Sequence, residues 1–547
     1  MTLVHGLHFK NVRGDIYGGL TAAVVALPLA LAFGVASGAG PIAGLYGAIF
    51  VGLFAALFGG TPAQVSGPTG PMTVVMAAIF VEYASQPTLA FTVVAMGGAL
   101  QILCGYLRLG RYVTYVPFSV ISGFMSGIGV IIIILQLAPL LGHPGSQEGV
   151  LAAIFSLPRA AISPNIAAIA VGGIALGISI FMPVQFRRIL PPALAALVLG
   201  TLVAVLLLPT VPVIGDIPRG LPTPILPEAT LALFPGMIVS AVVLAVLGSI
   251  DSLLTSLIAD NVTRGTHDSD RELVGQGIGN IVAGLMGGIA GAGATMRTVV
   301  NVRAGGRTPI SGALHAVVLL ALVLGLAPLA ESIPLAVLAG ILLKVGWDII
   351  DWEFLRRLNA IPRSKAVVML TVLSMTVFVD LMTAVAVGII MASLVSAKQL
   401  SAHQLSQLNL IDSEDKMAPL DEEERTALRG TDGAVLLLHF SGPFSFCSAR
   451  DLVRRLGTIG DSYRAVVFDL TDVPMIDTSI AMAIEELIRR TLENGQATFV
   501  SGVGGEAVTQ LERLKILDQL PSGHRHTTRR DAILAAAEAL ESDRTAG

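Results

Sequence analysis

Of 547 residues, 54% are hydrophobic and only 13% are charged, with a mean hydropathy of +0.78; soluble domains carry about 25% charged residues, so a purely soluble globular chain is excluded. The net charge of −4 leaves no electrostatic footprint for nucleic acid. The two cysteines, Cys104 and Cys447, lie far apart in unlike sequence, which argues against a disulfide framework or a cysteine metal site.

The first apolar run starts near Tyr17, lacks a small-residue cleavage site and continues into another span, so no cleavable signal is expected. A membrane helix needs about 20 apolar residues, fewer for a half-helix. Spans are predicted at 15–37, 42–60, 67–84, 90–106, 116–140, 164–183, 189–208, 236–259, 275–290, 294–302, 310–328, 333–350, 365–379 and 383–397. The total is about fourteen, read as seven plus seven, and an odd number per half inverts the second half.

The third and tenth spans then correspond, and both are broken. Ser66-Gly67-Pro68-Thr69-Gly70-Pro71 and Gly291-Ala292-Gly293-Ala294-Thr295-Met296-Arg297 each lead into a Thr-Val-Val helix start. Paired interruptions at matching places mark transporters whose half-helices begin near the bilayer midplane. Each helix start carries about half a positive charge and unpaired N–H groups, so two facing starts make an anion site. Thr69, Gly70, Ala294 and Thr295 are the candidate substrate contacts, against the plainer reading of two kinked, packed spans.

Asp251 follows the apolar run 241–250, inside the eighth span. An intramembrane carboxylate is costly and points to function. Thr255 lies one turn on, on the same face. With carbonyls near Gly293 and Thr295 the pair offers hard oxygen ligands that suit a small cation. A sodium site, a proton-coupling carboxylate and a structural partner for a basic residue all stand as readings. Arg297, in the first turn of the second half-helix, is a permanent cation able to hold an oxyanion, to pair with Asp251, or to snorkel towards Arg303 and Arg307 at the cytoplasmic face. Lys344 and Asp380 are read as interfacial or gate residues, and Glu272 and Gln276 as packing or capping groups. Phe33 and Tyr46 are read as core aromatics by default, with cavity lining as the alternative.

Basic residues set the orientation. With the N-terminus in the cytoplasm, inside segments hold Lys10, Arg13, Arg108, Arg111, Arg187, Arg188, Arg264, Arg271, Arg303, Arg307, Arg356, Arg357, Arg363 and Lys398, while outside loops hold little beyond Arg159 and Arg219. An even number of spans keeps both termini inside, in a multi-pass protein of the cell (plasma or inner) membrane. Asp351–Leu358 reads either as an interfacial amphipathic helix or as a plain connector.

Residues 1–400 form the predicted transport domain, 401–430 a polar, acidic linker with a short helix, and 431–547 a small α/β domain. In the last, Val435–Phe440, Ala465–Leu470 and Ala497–Ser501 read as buried strands, alternating with helices over Ser448–Leu456, Ser479–Glu493, Gly505–Leu514 and Asp531–Ser542. Gly502-Val503-Gly504-Gly505 lacks the Lys-Ser/Thr of a nucleotide loop and reads as a strand-to-helix turn. The Asp477-Thr478-Ser479 run reads as a helix N-cap. No nucleophile–base set or metal-ligand histidine spacing is present in the sequence, so an enzyme is not expected.

The segments Gly38–Ala48, Ser66–Pro71 and Asn301–Thr308 resemble the sulfate permease and prestin (SulP) family. Asp469–Pro474 with Asp477–Ser479 resembles a STAS domain, the usual C-terminal partner in that family. Within it, Gly59–Pro62, Ser122–Gly129, Ile250–Ser256 and Glu272–Asn280 look most like the BicA-type sodium-dependent bicarbonate transporters. The resemblance covers essentially the whole chain. It implies a core domain of spans one to four and eight to eleven moving against a gate domain, an anion at the half-helix starts, sodium held by Asp251, Thr255, Gly293 and Thr295, and a homodimer in lipid. Arg297 departs from the bicarbonate-transporter pattern, which has a small residue there, and matches other family members that use an arginine beside the anion. Sodium-coupled bicarbonate uptake is the expectation, with no cofactor other than sodium as coupling ion. Sulfate or dicarboxylate transport by proton coupling or exchange is the alternative, as is an anion channel.

Overall fold

The computed structural model describes residues 4–546 apart from 116, 146–148, 188–189, 216–221, 227–232, 380, 413–419 and 458–462, so Arg188, Arg219 and Asp380 lie outside the described residues. The chain divides into two compact units, Met1–Ala392 and Ser393–Gly547.

The first unit is helical: α1 (Val12–Ala36), α2 (Pro41–Phe58), α3 (Gly70–Glu82), α4 (Pro87–Tyr106), α5 (Phe118–Leu140), α6 (Val150–Ile162), α7 (Ile166–Phe181), the short α8 (Val184–Arg187), α9 (Pro192–Leu207), α10 (Phe234–Thr263), α11 (Ser269–Leu285), α12 (Thr295–Arg303), α13 (Pro309–Ala330), α14 (Leu335–Ile349), the short α15 (Trp352–Arg356), α16 (Arg363–Phe378) and the start of α17 (Leu381–Ser406). Each apolar segment picked out in the sequence is a helix. Among the described residues, six helices, Phe9–Ala36, Pro41–Phe58, Pro87–Tyr106, Phe118–Leu140, Phe234–Thr263 and Thr383–Ser406, are long and apolar enough to cross a membrane by themselves. Proline in the first turn of α2, α3, α4, α9, α10 and α13 sets where these helices begin.

Two helices were not expected, the short α8 and the longer α6. The predicted spans leave 141–163 as a connection, because Pro158 and Arg159 interrupt its apolar pattern; α6 forms there and meets α7 at a 118° bend. Pro164 cannot continue a helix, and the Asn165 carboxamide oxygen accepts from Ala167 N–H at 3.0 Å and Ala168 N–H at 3.1 Å to restart it.

Helices α1–α4 pack with α10–α13, while α5, α7, α9, α14 and α16 pack chiefly with one another. That is the core and gate grouping the family resemblance implies. Small residues let the core helices approach closely: a Cβ on Gly98 of α4 would lie 2.5 Å from the Gly277 carbonyl of α11, and one on Gly277 would lie 2.5 Å from that of Gly98.

Two short strands, β1 (Ser66–Gly67) and β2 (Ala292–Gly293), pair antiparallel across the repeat, Ser66 opposite Gly293 and Gly67 opposite Ala292. They occupy the two predicted breaks and bring the starts of α3 and α12 together.

In the second unit, β3 (Leu408–Ile411), β4 (Val435–Ser441), β5 (Ala465–Asp472), β6 (Ala497–Ser501) and β7 (Arg525–His526) form one sheet in sequence order, with β3 antiparallel and the rest parallel. Helices α18 (Glu422–Arg429) and α22 (Arg529–Ala546) cover one face; α19 (Phe446–Leu456), α20 (Thr478–Glu493) and α21 (Glu506–Arg513) cover the other. The strands are near-continuous apolar runs because both faces are buried. The segment read as a linker over 401–430 is partly structural: Leu408–Ile411 pairs with β4, and its outer residues supply Leu408 and Ile411 to opposite cores. Gly502–Gly505 is the turn from β6 to α21, and Asp477 caps α20 by accepting from Ile480 N–H at 2.9 Å.

Candidate anion site

The lead into α3 is fixed by the opposite repeat. Glu272 of α11 is 1% exposed, yet its carboxylate has four donors. Gly60 and Thr61 N–H donate to Oε2 at 2.9 Å each, and Gln64 and Gln276 Nε2 donate to Oε1 at 2.7 Å each. A buried charge persists only with such complete pairing. Gln276 Nε2 also donates to Ser66 Oγ at 2.6 Å. Val65 N–H donates to Thr298 Oγ1 at 3.0 Å, and Ala294 N–H donates to the Val65 carbonyl at 2.9 Å. The capping and packing role expected of Glu272 and Gln276 thus becomes a clamp on the strand that precedes Thr69.

The lead into α12 is held by α10 and α11. Asn280 receives Gly291 N–H at 2.8 Å and donates to the Gly291 carbonyl at 3.0 Å; Gly293 N–H donates to Ser252 Oγ at 3.0 Å. Neither α3 nor α12 is capped by the side chain of its N-cap residue, Thr69 or Ala294. Their first-turn N–H groups therefore keep their partial positive charge available.

The candidate residues converge here. Thr69 directs its hydroxyl away from its own helix and donates to Asp251 Oδ2 at 2.7 Å. Thr255 Oγ1 donates to the Gly293 carbonyl at 3.0 Å and lies 2.8 Å from Thr295 Oγ1. Asp251 is 9% exposed and Thr255 fully buried. Gly70 is the first residue of α3 and Thr295 the first of α12. One carboxylate, two hydroxyls and one carbonyl make an oxygen-only set, which fits a small hard cation and not a transition metal. Among the described residues, no group of three or more His, Cys, Asp or Glu could hold a metal ion.

Arg297 does not reach a membrane face. It is 2% exposed, and Nη2 donates to the Pro68 carbonyl at 2.6 Å. Arg297 and Asp251 therefore grip neighbouring residues of one lead, Pro68 and Thr69. Gly67, at φ +146°, is the floor under this arginine: a Cβ there would lie 2.8 Å from Nη1. Nη1 has no hydrogen-bond partner among the described residues. Tyr46 and Phe33 are both buried, and Phe33 also lines a small cavity with Thr73 and Ile132. Lys344 pairs with Asp348 one turn on at 2.5 Å, both side chains partly exposed. The Pro68 carbonyl and the fully buried His315 of α13, with neither ring nitrogen partnered among the described residues, carried no sequence signal.

The sulfate permease family model matches residues 12–372, and the STAS domain model matches 425–532. The chain is 47% identical to the bicarbonate transporter BicA of Picosynechococcus sp. over 97% of this chain and 96% of that protein. It is 30% identical to the putative sulfate transporter YvdB of Bacillus subtilis over 95% of this chain and 97% of that one. Among solved structures, the transmembrane domain of a cyanobacterial BicA superposes with a TM-score of 0.67 at 51% identity, covering 70% of this chain and all of that one. Murine Slc26a9 shares the fold over 97% of this chain and 92% of its own, with a TM-score of 0.81 at 18% identity. The chain belongs to the sulfate permease family of membrane transporters, with a helical transmembrane domain followed by a C-terminal STAS domain.

Proposed function

We propose that this protein takes up bicarbonate as a secondary active transporter, driven by sodium, with the anion at the starts of α3 and α12. The observation that carries the reading is the β1–β2 pair, which sets two uncapped helix starts against each other with Thr69, Asp251, Thr255 and Thr295 between them. Free N–H groups and the Thr295 hydroxyl hold a small oxyanion, with the Thr69 hydroxyl turning to it from Asp251 on binding; Asp251, Thr255, the Gly293 carbonyl and Thr295 hold the cation. The resemblance to proteins named bicarbonate transporters over the whole chain supports the choice of anion.

Charge balance supports coupling. A buried site that must cross the bilayer interior is cheapest to move when neutral. One sodium offsets the charge that a bound monoanion adds, so the loaded site carries the same net charge as the empty one. The core helices then carry the anion past a gate in alternating access, in a cell-membrane protein with both termini in the cytoplasm that works as a homodimer.

The burial of Arg297 favours a second reading. A guanidinium this close to the half-helix starts can itself be the countercharge of the anion, which suits sulfate or a dicarboxylate moved by exchange or with protons. Uptake of labelled bicarbonate, sulfate and fumarate into proteoliposomes, with and without an inward sodium gradient, separates the two. Saturable, sodium-stimulated bicarbonate uptake is expected; sodium-independent uptake rejects the coupled reading.

A further inference from the structure

Gly70 opens α3 at the proposed anion site, and two isoleucines from outside the core bundle press on it. A Cβ at Gly70 would lie 2.7 Å from Ile349 Cδ1, at the end of α14, and 3.0 Å from Ile132 Cδ1 in α5. Ile132 is 4% exposed. It also lines a small cavity together with Phe33, Thr73, Gln136 and Leu342. Thr73 is one turn along α3 from Gly70.

We propose that Ile132 and Ile349 form an apolar partition over the Gly70 end of the anion site and set the size of the oxyanion admitted there. The proposal rests on the half-helix reading of the anion site. Methyl groups offer an anion no hydrogen bond, so an anion against Gly70 must fit beneath the two δ-carbons while keeping its contacts to the helix N–H groups. A planar, three-oxygen monoanion meets that demand with less volume than a tetrahedral, four-oxygen dianion. The larger ion must displace the δ-carbons or back away from its donors. Apolar walls discriminate by about 10–200-fold for each methylene of misfit. A plain packing seal would have a different signature, because loosening it would raise leakage for every anion alike.

The test is competitive uptake of labelled bicarbonate and sulfate by full-length protein in proteoliposomes, for wild type, Ile132→Ala, Ile349→Ala, Ile132→Val and Thr69→Val. Each alanine variant should shift the sulfate-to-bicarbonate ratio towards sulfate by roughly tenfold or more. Ile132→Val, which removes one carbon, should shift it less in the same direction and guards against an alanine variant that folds poorly. An unchanged ratio in all three isoleucine variants, with bicarbonate uptake lowered by Thr69→Val, overturns the partition and leaves the anion site standing. If Thr69→Val is also without effect, both readings fall. Non-saturating entry of both anions in the isoleucine variants would identify a seal and would equally overturn the size filter.

Discussion

Arg297→Gln is the substitution that most directly separates the two charge models. Glutamine removes the charge and, with its amide nitrogen two bonds short of Nη2, also gives up the 2.6 Å hydrogen bond to the Pro68 carbonyl. Two like charges a few ångströms beyond contact repel by about 2 kcal/mol at an effective dielectric near 20. If sodium binds at Asp251, Thr255, Gly293 and Thr295, losing the arginine charge should tighten apparent sodium affinity by roughly thirtyfold. Bicarbonate uptake should persist at saturating sodium. Arg297→Gly, the small residue of the bicarbonate-transporter pattern, should keep sodium dependence as well, with some loss of stability from the stranded Pro68 carbonyl. The assay is initial uptake of labelled bicarbonate into proteoliposomes over a series of sodium concentrations. Collapse of bicarbonate uptake in Arg297→Gln at every sodium concentration would refute the reasoning and make Arg297 the anion's own countercharge.

Thr69→Val and Thr295→Val each keep side-chain shape and remove one hydroxyl; a hydrogen bond to a charged group is worth about 1.5–3 kcal/mol, so anion or sodium affinity should fall roughly tenfold or more in uptake titrations while the melting profile in detergent changes little. Gly67→Ala places a Cβ 2.8 Å from Arg297 Nη1 at a backbone φ of +146°, so uptake should be lost together with a lowered thermal midpoint; wild-type behaviour would show that the arginine can move aside freely. In the STAS domain, burial alone would raise the Asp469 carboxyl, but hydrogen bonds from His439, Ser501 and Thr471, with the Arg529 charge, outweigh it and hold the group well below the usual carboxylate range. A depressed acid stabilises the fold above its unfolded-state pKa, about 3.9, and that contribution is lost as pH falls below it. Protection factors of the β4–β6 amides, which divide out the intrinsic pH dependence of exchange, should therefore fall as pH drops from about 5 through the depressed folded-state pKa, and Asp469→Asn should flatten that fall.

The sequence alone located the long apolar helices, because a run of apolar residues long enough to cross a bilayer has few other stable fates, but it missed the shorter α6. It also located the two breaks, since Ser66–Pro71 and Gly291–Ala294 interrupt otherwise continuous spans, and it singled out Asp251, a carboxylate behind the largely apolar run 241–250. The buried strands of the second unit were legible for the same reason of uninterrupted hydrophobicity. What lay beyond the sequence were partners far apart in the chain. Glu272 gives no sign that it will receive the N–H groups of Gly60 and Thr61, more than 200 positions earlier. Arg297 precedes Arg303 and Arg307 on a short helix, and its direction was undecidable until the β1–β2 pair placed the Pro68 carbonyl within its reach. Leu408–Ile411 is too short and too mixed to stand out from a polar segment, and becomes a strand only because β4 offers an edge. Ile132 and Ile349 look like any lipid-facing or core isoleucine; only the packing of α5 and α14 against Gly70 gives them a position over the site. Local hydrophobicity acts along the chain and can be read from it, whereas a buried charge takes its meaning from whichever groups the fold brings within about 3 Å of it.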